Sequence, residues 1–214
     1  MSIYMTEAEQ LEAIKDWWLR HQRWITILIS AILLSVAGYR YWMWHTEKVT
    51  HSASQAYEQL MAATANQEGA AIEAYAKALI KEYPKTVYGD AARLALAKYW
   101  VSEHKWPDAA RELEAVAQHA KMPVLQEVAS IRLVRLWIAE KQYDKALDAL
   151  STTHLVAYNA LVSELKGDVY AALGQYTAAD ASYREAHEEV KLRGIGNVFL
   201  DMKSNELAAA TGAA

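Results

Sequence analysis

Cysteine is missing from all 214 residues. Its absence excludes disulfides, thiolate catalysis, thiolate metal sites and a lipid-modified cysteine anchor, and it suits an oxidising compartment. Proline (3), glycine (8) and phenylalanine (1) are scarce while alanine recurs throughout, a balance that favours helix over strand. The formal net charge of -4 leaves no basic footprint for nucleic acid. Phosphate-cradling GxGxxG and P-loop patterns are missing, as is GxSxG. Gly194-Ile195-Gly196 follows no strand and reads as a hinge ahead of the last helix.

Metal and acid–base chemistry are equally short of material. The seven histidines are His21, His45, His51, His104, His119, His154 and His187, and no two stand three or four apart, so no helix offers a paired ligand set. His187-Glu188-Glu189 opens like a zinc-protease helix, but Lys191 occupies the place of the second histidine. The acids Glu112, Glu114, Glu188 and Glu189 read as solvated helix faces. No base–nucleophile pair emerges. The sequence therefore predicts neither an enzyme nor a cofactor or metal site.

What the chain does have is an apolar run over residues 24–44. As a helix, residues 24–39 span about 24 Å, short of the roughly 30 Å hydrocarbon core, whereas continuation to residue 44 gives about 31 Å. That continuation requires Arg40 to lift its guanidinium toward the headgroups. Trp17, Trp18 and Trp24 at one end and Tyr39, Tyr41, Trp42 and Trp44 at the other form two aromatic belts. The reading is a single transmembrane helix. Two rivals are a cleaved signal, with Ser35-Val36-Ala37 as the small-residue site, and a buried helix of a soluble domain. Against the first stand the acids Glu7, Glu9, Glu12 and Asp16 where a signal is basic. Against the second, the run has no polar face beyond Thr26, Ser30 and Ser35.

Residues 1–23 form an amphipathic segment, with Thr6 and Glu9 as a capping box and Leu11, Ile14 and Trp18 on one side. Lys15, Arg20 and Arg23 before the uncharged stretch 24–39 outnumber Arg40 and Lys48 after it. The bias places the amino terminus in the cytoplasm and residues 45–214 on the other side.

Beyond the run, helix is expected to continue to Asn66 and to resume over residues 70–83 until Pro84 stops it. An internal repeat then appears. With Ala97, Val134 and Gly167 aligned, aromatic columns follow at Trp100, Trp137 and Tyr170, then at Trp106, Tyr143 and Tyr176, the latter expected in the turn between two helices. Ala109, Ala146 and Ala179 form a small-residue column, with Leu113, Leu150 and Tyr183 four positions on. Small columns let antiparallel helices approach, and the neighbouring aromatics fill the gap. A lone helical hairpin cannot bury its apolar face, so copies stack into an all-α solenoid. Pro107 and Pro123 suit first turns of helices, and Gly174 closes the one before Tyr176. Residues 195–210 close the chain as a capping or docking helix, with Val198, Met202 and Leu207 at near-helical spacing.

The spacing resembles the tetratricopeptide repeat, best in the third copy at Gly167, Tyr170, Gly174, Tyr176, Ala179, Tyr183 and Ala186, whereas residues 52–83 fit only as a degenerate first copy. In such stacks the first helix of each copy lines the inner surface. The resemblance thus points to Lys98, Val101, Arg135, Ile138, Glu164 and Asp168 as partner-binding residues. Arg135 leads, because its planar fork grips carboxylates or carbonyls; the bland alternative is an ion pair with Glu140.

Further short stretches stand in order along the chain: Ile3-Tyr4, the EAIK of residues 12–15, Gly38 with Arg40-Tyr41-Trp42, SASQAY at 52–57, Tyr88-Gly89, IRLVR at 131–135 and MKSNEL at 202–207. In these the chain as a whole resembles the YfgM-like ancillary subunits of the SecYEG translocon. The resemblance implies a single-pass protein of the bacterial inner membrane whose repeat domain is periplasmic. The partners it implies are the SecYEG translocon, a PpiD-type periplasmic chaperone and unfolded secretory or outer-membrane clients. The expected function is a scaffold linking emerging chains to chaperones. The alternative is a membrane-anchored regulatory adaptor that sequesters a signalling protein.

Overall fold

The computed structural model describes residues 7–152, 158–192 and 197–211. The Thr6 cap, Ile3-Tyr4, His154 and the hinge at Gly194-Ile195-Gly196 lie outside the described residues. The chain divides into two compact units, Met1–Ser52 and Ala53–Ala214, and all regular structure among the described residues is helical.

The first helix, α1, runs Glu7–Ala65. In the first unit its apolar residues are uncovered on every side: Trp24 and Leu34 are each 74% exposed, and Leu28, Ile32, Tyr39 and Trp42 are exposed as well. Among the described residues this is the one helix long and apolar enough to cross a membrane. A soluble protein hides such a stripe against its own core, and here no part of it is hidden. The few polar side chains turn back on the helix. Thr26 Oγ1 donates to the Gln22 carbonyl at 2.6 Å, and Ser35 Oγ to the Ala31 carbonyl at 2.8 Å, which satisfies them where water is missing. At the carboxy-terminal border Lys48 Nζ sits 4.5 Å over the Trp44 ring, a cation–π pairing suited to an interface.

The second unit begins with residues 53–65 of α1 and continues through α2 (Gly69–Glu82), α3 (Val87–Ser102), α4 (Trp106–His119), α5 (Pro123–Ala139), α6 (Tyr143–Thr152), α7 (Asn159–Ala172), α8 (Tyr176–Leu192) and α9 (Val198–Thr211). Each helix from α2 onward packs on its successor, and α3 also meets α5 as α5 meets α7. That is the contact pattern of stacked hairpins. Pro107 and Pro123 fall in the first turns of α4 and α5, where a missing N–H costs nothing. Thr86 caps α3, its Oγ1 accepting from the Gly89 N–H at 3.1 Å.

The joints show the repeat most plainly. Gln67, His104, Lys141 and Gly174 all have positive φ, between 58° and 71°. Each ends a helix with the same main-chain bond from the following residue: Glu68 N–H to Ala63, Lys105 to Trp100, Gln142 to Trp137 and Gln175 to Tyr170, at 2.8 to 3.0 Å. This is the left-handed termination that usually selects glycine; three of the four do without it. The identical joint at Gln67 makes residues 53–82 a first hairpin in register with the three aligned by sequence. Trp106, Tyr143 and Tyr176, expected in turns, instead open α4, α6 and α8.

The small column is a packing column. Ala109, Ala146 and Ala179 are wholly buried. At Gly167 an added Cβ would stand 2.4 Å from Cε1 of the Tyr183 ring. The core is a chain of clusters from α1 to α9, with Leu60, Leu79 and Leu96 at one end, Val134, Leu150 and Val169 in the middle and Tyr183, Leu200 and Leu207 at the other.

Candidate functional site

Helices α3 and α5 run alongside one another with α4 between them in sequence, and the gap left between them is a cavity of about 430 Å³. Val101 from α3, Trp106 and Leu113 from α4, and Leu136 from α5 give it apolar walls; Lys98, Arg132 and Arg135 add charge. No described acidic residue lines it. A wider groove of about 830 Å³ shares Lys98 and Arg132 and extends to Tyr57, Met61 and Tyr99, with Glu103 at its edge. Buried residues alternate with exposed ones along these helices. Ala97 and Leu136 are buried at the base of the smaller cavity, while Lys98, Arg132 and Arg135 are exposed around it, as a 3.6-residue period dictates.

Some cations elsewhere in the molecule are held by internal carboxylates. Arg93 is ion-paired with Glu112, and Lys77 with Glu73. Among the described residues no ion pair holds Lys98, Arg132 or Arg135. Glu140, the neighbour that sequence offers to Arg135, accepts instead from Gln142 Nε2 at 3.1 Å.

Glu164 and Asp168 are placed elsewhere. Both lie on α7, one helical turn apart, and Lys203 of α9 bonds to both, at 2.6 Å to Glu164 and 2.7 Å to Asp168. Asp168 also accepts from the Tyr183 hydroxyl at 2.9 Å, and Asn197 Nδ2 approaches Glu164 at 3.4 Å. Burial works to lower the Lys203 pKa, yet the hydrogen bonds and charges of Asp168 and Glu164 outweigh it and the net shift is upward. Burial first, then Asp168, pushes the Tyr183 hydroxyl up. Two like charges four residues apart repel on an open helix, so this cluster is an internal lock. Ile138 is half-buried against the Val134–Leu150 core. Of the six residues singled out by sequence, the structure brings Lys98, Val101 and Arg135 to one cavity and leaves Ile138, Glu164 and Asp168 outside it.

His187 stands against α9, its Nε2 3.2 Å from Ser204 Oγ and its Nδ1 3.6 Å from Asp201. No set of three or more His, Asp or Glu side chains among the described residues is arranged around a metal position.

Residues 15–209 match the family model described as a tetratricopeptide repeat-like domain. A protein of Aggregatibacter actinomycetemcomitans named "Ancillary SecYEG translocon subunit" is 30% identical over 188 residues, covering 88% of this chain and 92% of that protein. The chain belongs to this family of ancillary SecYEG translocon subunits. Relatives of the same name in Escherichia coli K12 and Neisseria gonorrhoeae are 27% and 26% identical over 208 residues, in both cases 97% of this chain and the whole of the relative.

Two residues escaped the sequence reading of this family member. Arg132 stands three before Arg135, on the same helix face; the sequence reading of the second copy names Arg135 and Ile138, the residue a turn onward, and not the one a turn before. Lys203 could have been sought from the acids themselves, since Glu164 and Asp168 at i and i+4 require a cation. Of the α9 residues at near-helical spacing, Leu207 turns inward together with Leu200, whereas Val198 and Met202 are exposed.

Proposed function

We propose that the chain is a non-enzymatic, membrane-anchored ancillary subunit of a SecYEG-type translocon, linking emerging secretory chains to periplasmic chaperones. The observation that carries this reading is the near full-length match to proteins of that name, joined to an apolar helix that nothing in the molecule covers. Residues 24–44 cross the bacterial inner membrane once, residues 1–23 stay in the cytoplasm, and residues 45–214 work in the periplasm. Partners are the SecYEG channel, a PpiD-type chaperone and unfolded secretory or outer-membrane clients. The cavity between α3 and α5 is the capture surface, with Lys98, Val101 and Arg135 in contact with the partner. Confinement beside a channel raises the effective concentration to about millimolar, so weak contacts there suffice.

Photo-crosslinking side chains at Ile29 and Leu33, in intact cells, test the reading. Adducts with SecY, SecE or SecG are expected; their complete absence overturns it. Reporter fusions at the two termini check the orientation, with a periplasmic signal expected only from the carboxy-terminal fusion.

A further inference from the structure

We infer that the cavity between α3 and α5 takes an acidic, amphipathic protein segment, in which an apolar side chain seats between Val101, Trp106 and Leu136 and flanking carboxylates pair with Lys98, Arg132 and Arg135. The inference rests on the reading of this cavity as a capture surface and adds the chemistry of its occupant.

Three observations carry it. Lys98, Arg132 and Arg135 border a single cavity with no described acid in its lining, and no ion pair among the described residues engages them. What sets these three apart is their convergence on one apolar-walled cavity, where their summed charge complements carboxylates supplied from outside. The walls between them are apolar and Val101 is 38% exposed, so a wholly polar anion would leave that surface unserved. Such a site joins burial of one anchor with electrostatic choice of its flanks. The negative end of the sequence-expected groove, at Glu164 and Asp168, is already occupied by Lys203, which removes the attraction for a basic segment. A hollow of about 430 Å³ between two helices admits an apolar side chain.

The test uses the full-length protein in nanodiscs of neutral lipid and three fluorescent twelve-residue peptides. All share a central Leu-Phe pair, with flanks of glutamate, serine or lysine. Anisotropy is expected to rank glutamate over serine over lysine, with about tenfold between the first two, as three exposed or half-exposed ion pairs would give. The glutamate peptide should lose its advantage at high salt. Arg132→Gln with Arg135→Gln should reduce the preference about fivefold, and Arg132→Glu with Arg135→Glu should invert it toward the lysine peptide. Both positions are exposed, so circular dichroism should show each variant as helical as the wild type. Val101→Trp should weaken all three peptides by occluding the seat.

Equal affinity for the three peptides, or an unchanged ranking in the charge-reversed variant, overturns the inference. So does displacement of the glutamate peptide by phosphatidylglycerol vesicles at concentrations where phosphatidylcholine vesicles leave it bound, since the cations would then serve lipid headgroups. Those failures leave the crosslinks to SecY, SecE or SecG intact; loss of the crosslinks defeats the translocon reading whatever the peptides do.

Discussion

Gly167 is where two opposing effects of one methyl group meet. Replacing a mid-helix glycine with alanine ordinarily gains about 1 kcal/mol, but here the new Cβ would lie 2.4 Å from a ring carbon of Tyr183. The ring has little freedom to yield, because it is 4% exposed and its hydroxyl is tied to Asp168 at 2.9 Å. Overpacking of this kind costs about 1–3 kcal/mol, so the clash wins. Gly167→Ala is expected to lower the denaturation midpoint, and adding Tyr183→Leu to recover part of the loss. Asp90 supplies a second residue-level expectation. It is 8% exposed at the start of α3, and burial raises its pKa against the smaller opposing effects of the Lys121 backbone and Arg93. A raised native value means that the folded chain keeps a proton the unfolded chain has lost, so this group's contribution falls as pH climbs from about 3.9 through the raised value. Urea melts at several pH values between about 4 and 7 should show Asp90→Asn gaining on the wild type across that window and holding a constant difference above it. A difference that stays flat throughout would show that the carboxyl is not desolvated.

Among the helices, α9 does the most that its sequence did not announce. Its inward residues Leu200 and Leu207 join the Tyr183 cluster, and Lys203 fastens it to α7. The near-helical spacing of Val198, Met202 and Leu207 was visible in the sequence, but α9 carries apolar residues on more than one face, and periodicity alone cannot say which face turns inward. By contrast, the α3/α4, α5/α6 and α7/α8 hairpins were readable because each repeats a small residue opposite an aromatic or leucine. The first hairpin was nearly lost: Ile72 and Gly69 stand where later copies have alanine and an aromatic, and only its backbone joint shows the kinship. The candidate site was half legible. Position after the small column found Lys98 and Arg135, but no sequence rule foresaw that Glu164 and Asp168 would be claimed from within the chain. Removal of the claimant should be felt. Lys203→Met leaves two carboxylates facing each other in a half-buried place, and thermal melts should register a loss of roughly 1–2 kcal/mol, largely restored by adding Glu164→Gln. Because the Lys203 pKa is raised, its contribution is complete below the ordinary lysine value of about 10.4 and fades only as pH rises through the raised one.

At the scale of the whole molecule, the uncovered apolar part of α1 and the packed second unit answer to different solvents. The first is stable only where water is excluded; the second buries its apolar residues in linked clusters, as a water-facing solenoid must. The joints of that solenoid are fastened by carbonyls and amides, with glutamine, histidine, lysine and glycine each found at one of four equivalent bends. Corners written in main-chain atoms have no spelling of their own. Descendants can therefore drift far in letters while keeping their bends, and a search for recurring words will undercount the modules that a tracing of the backbone reveals.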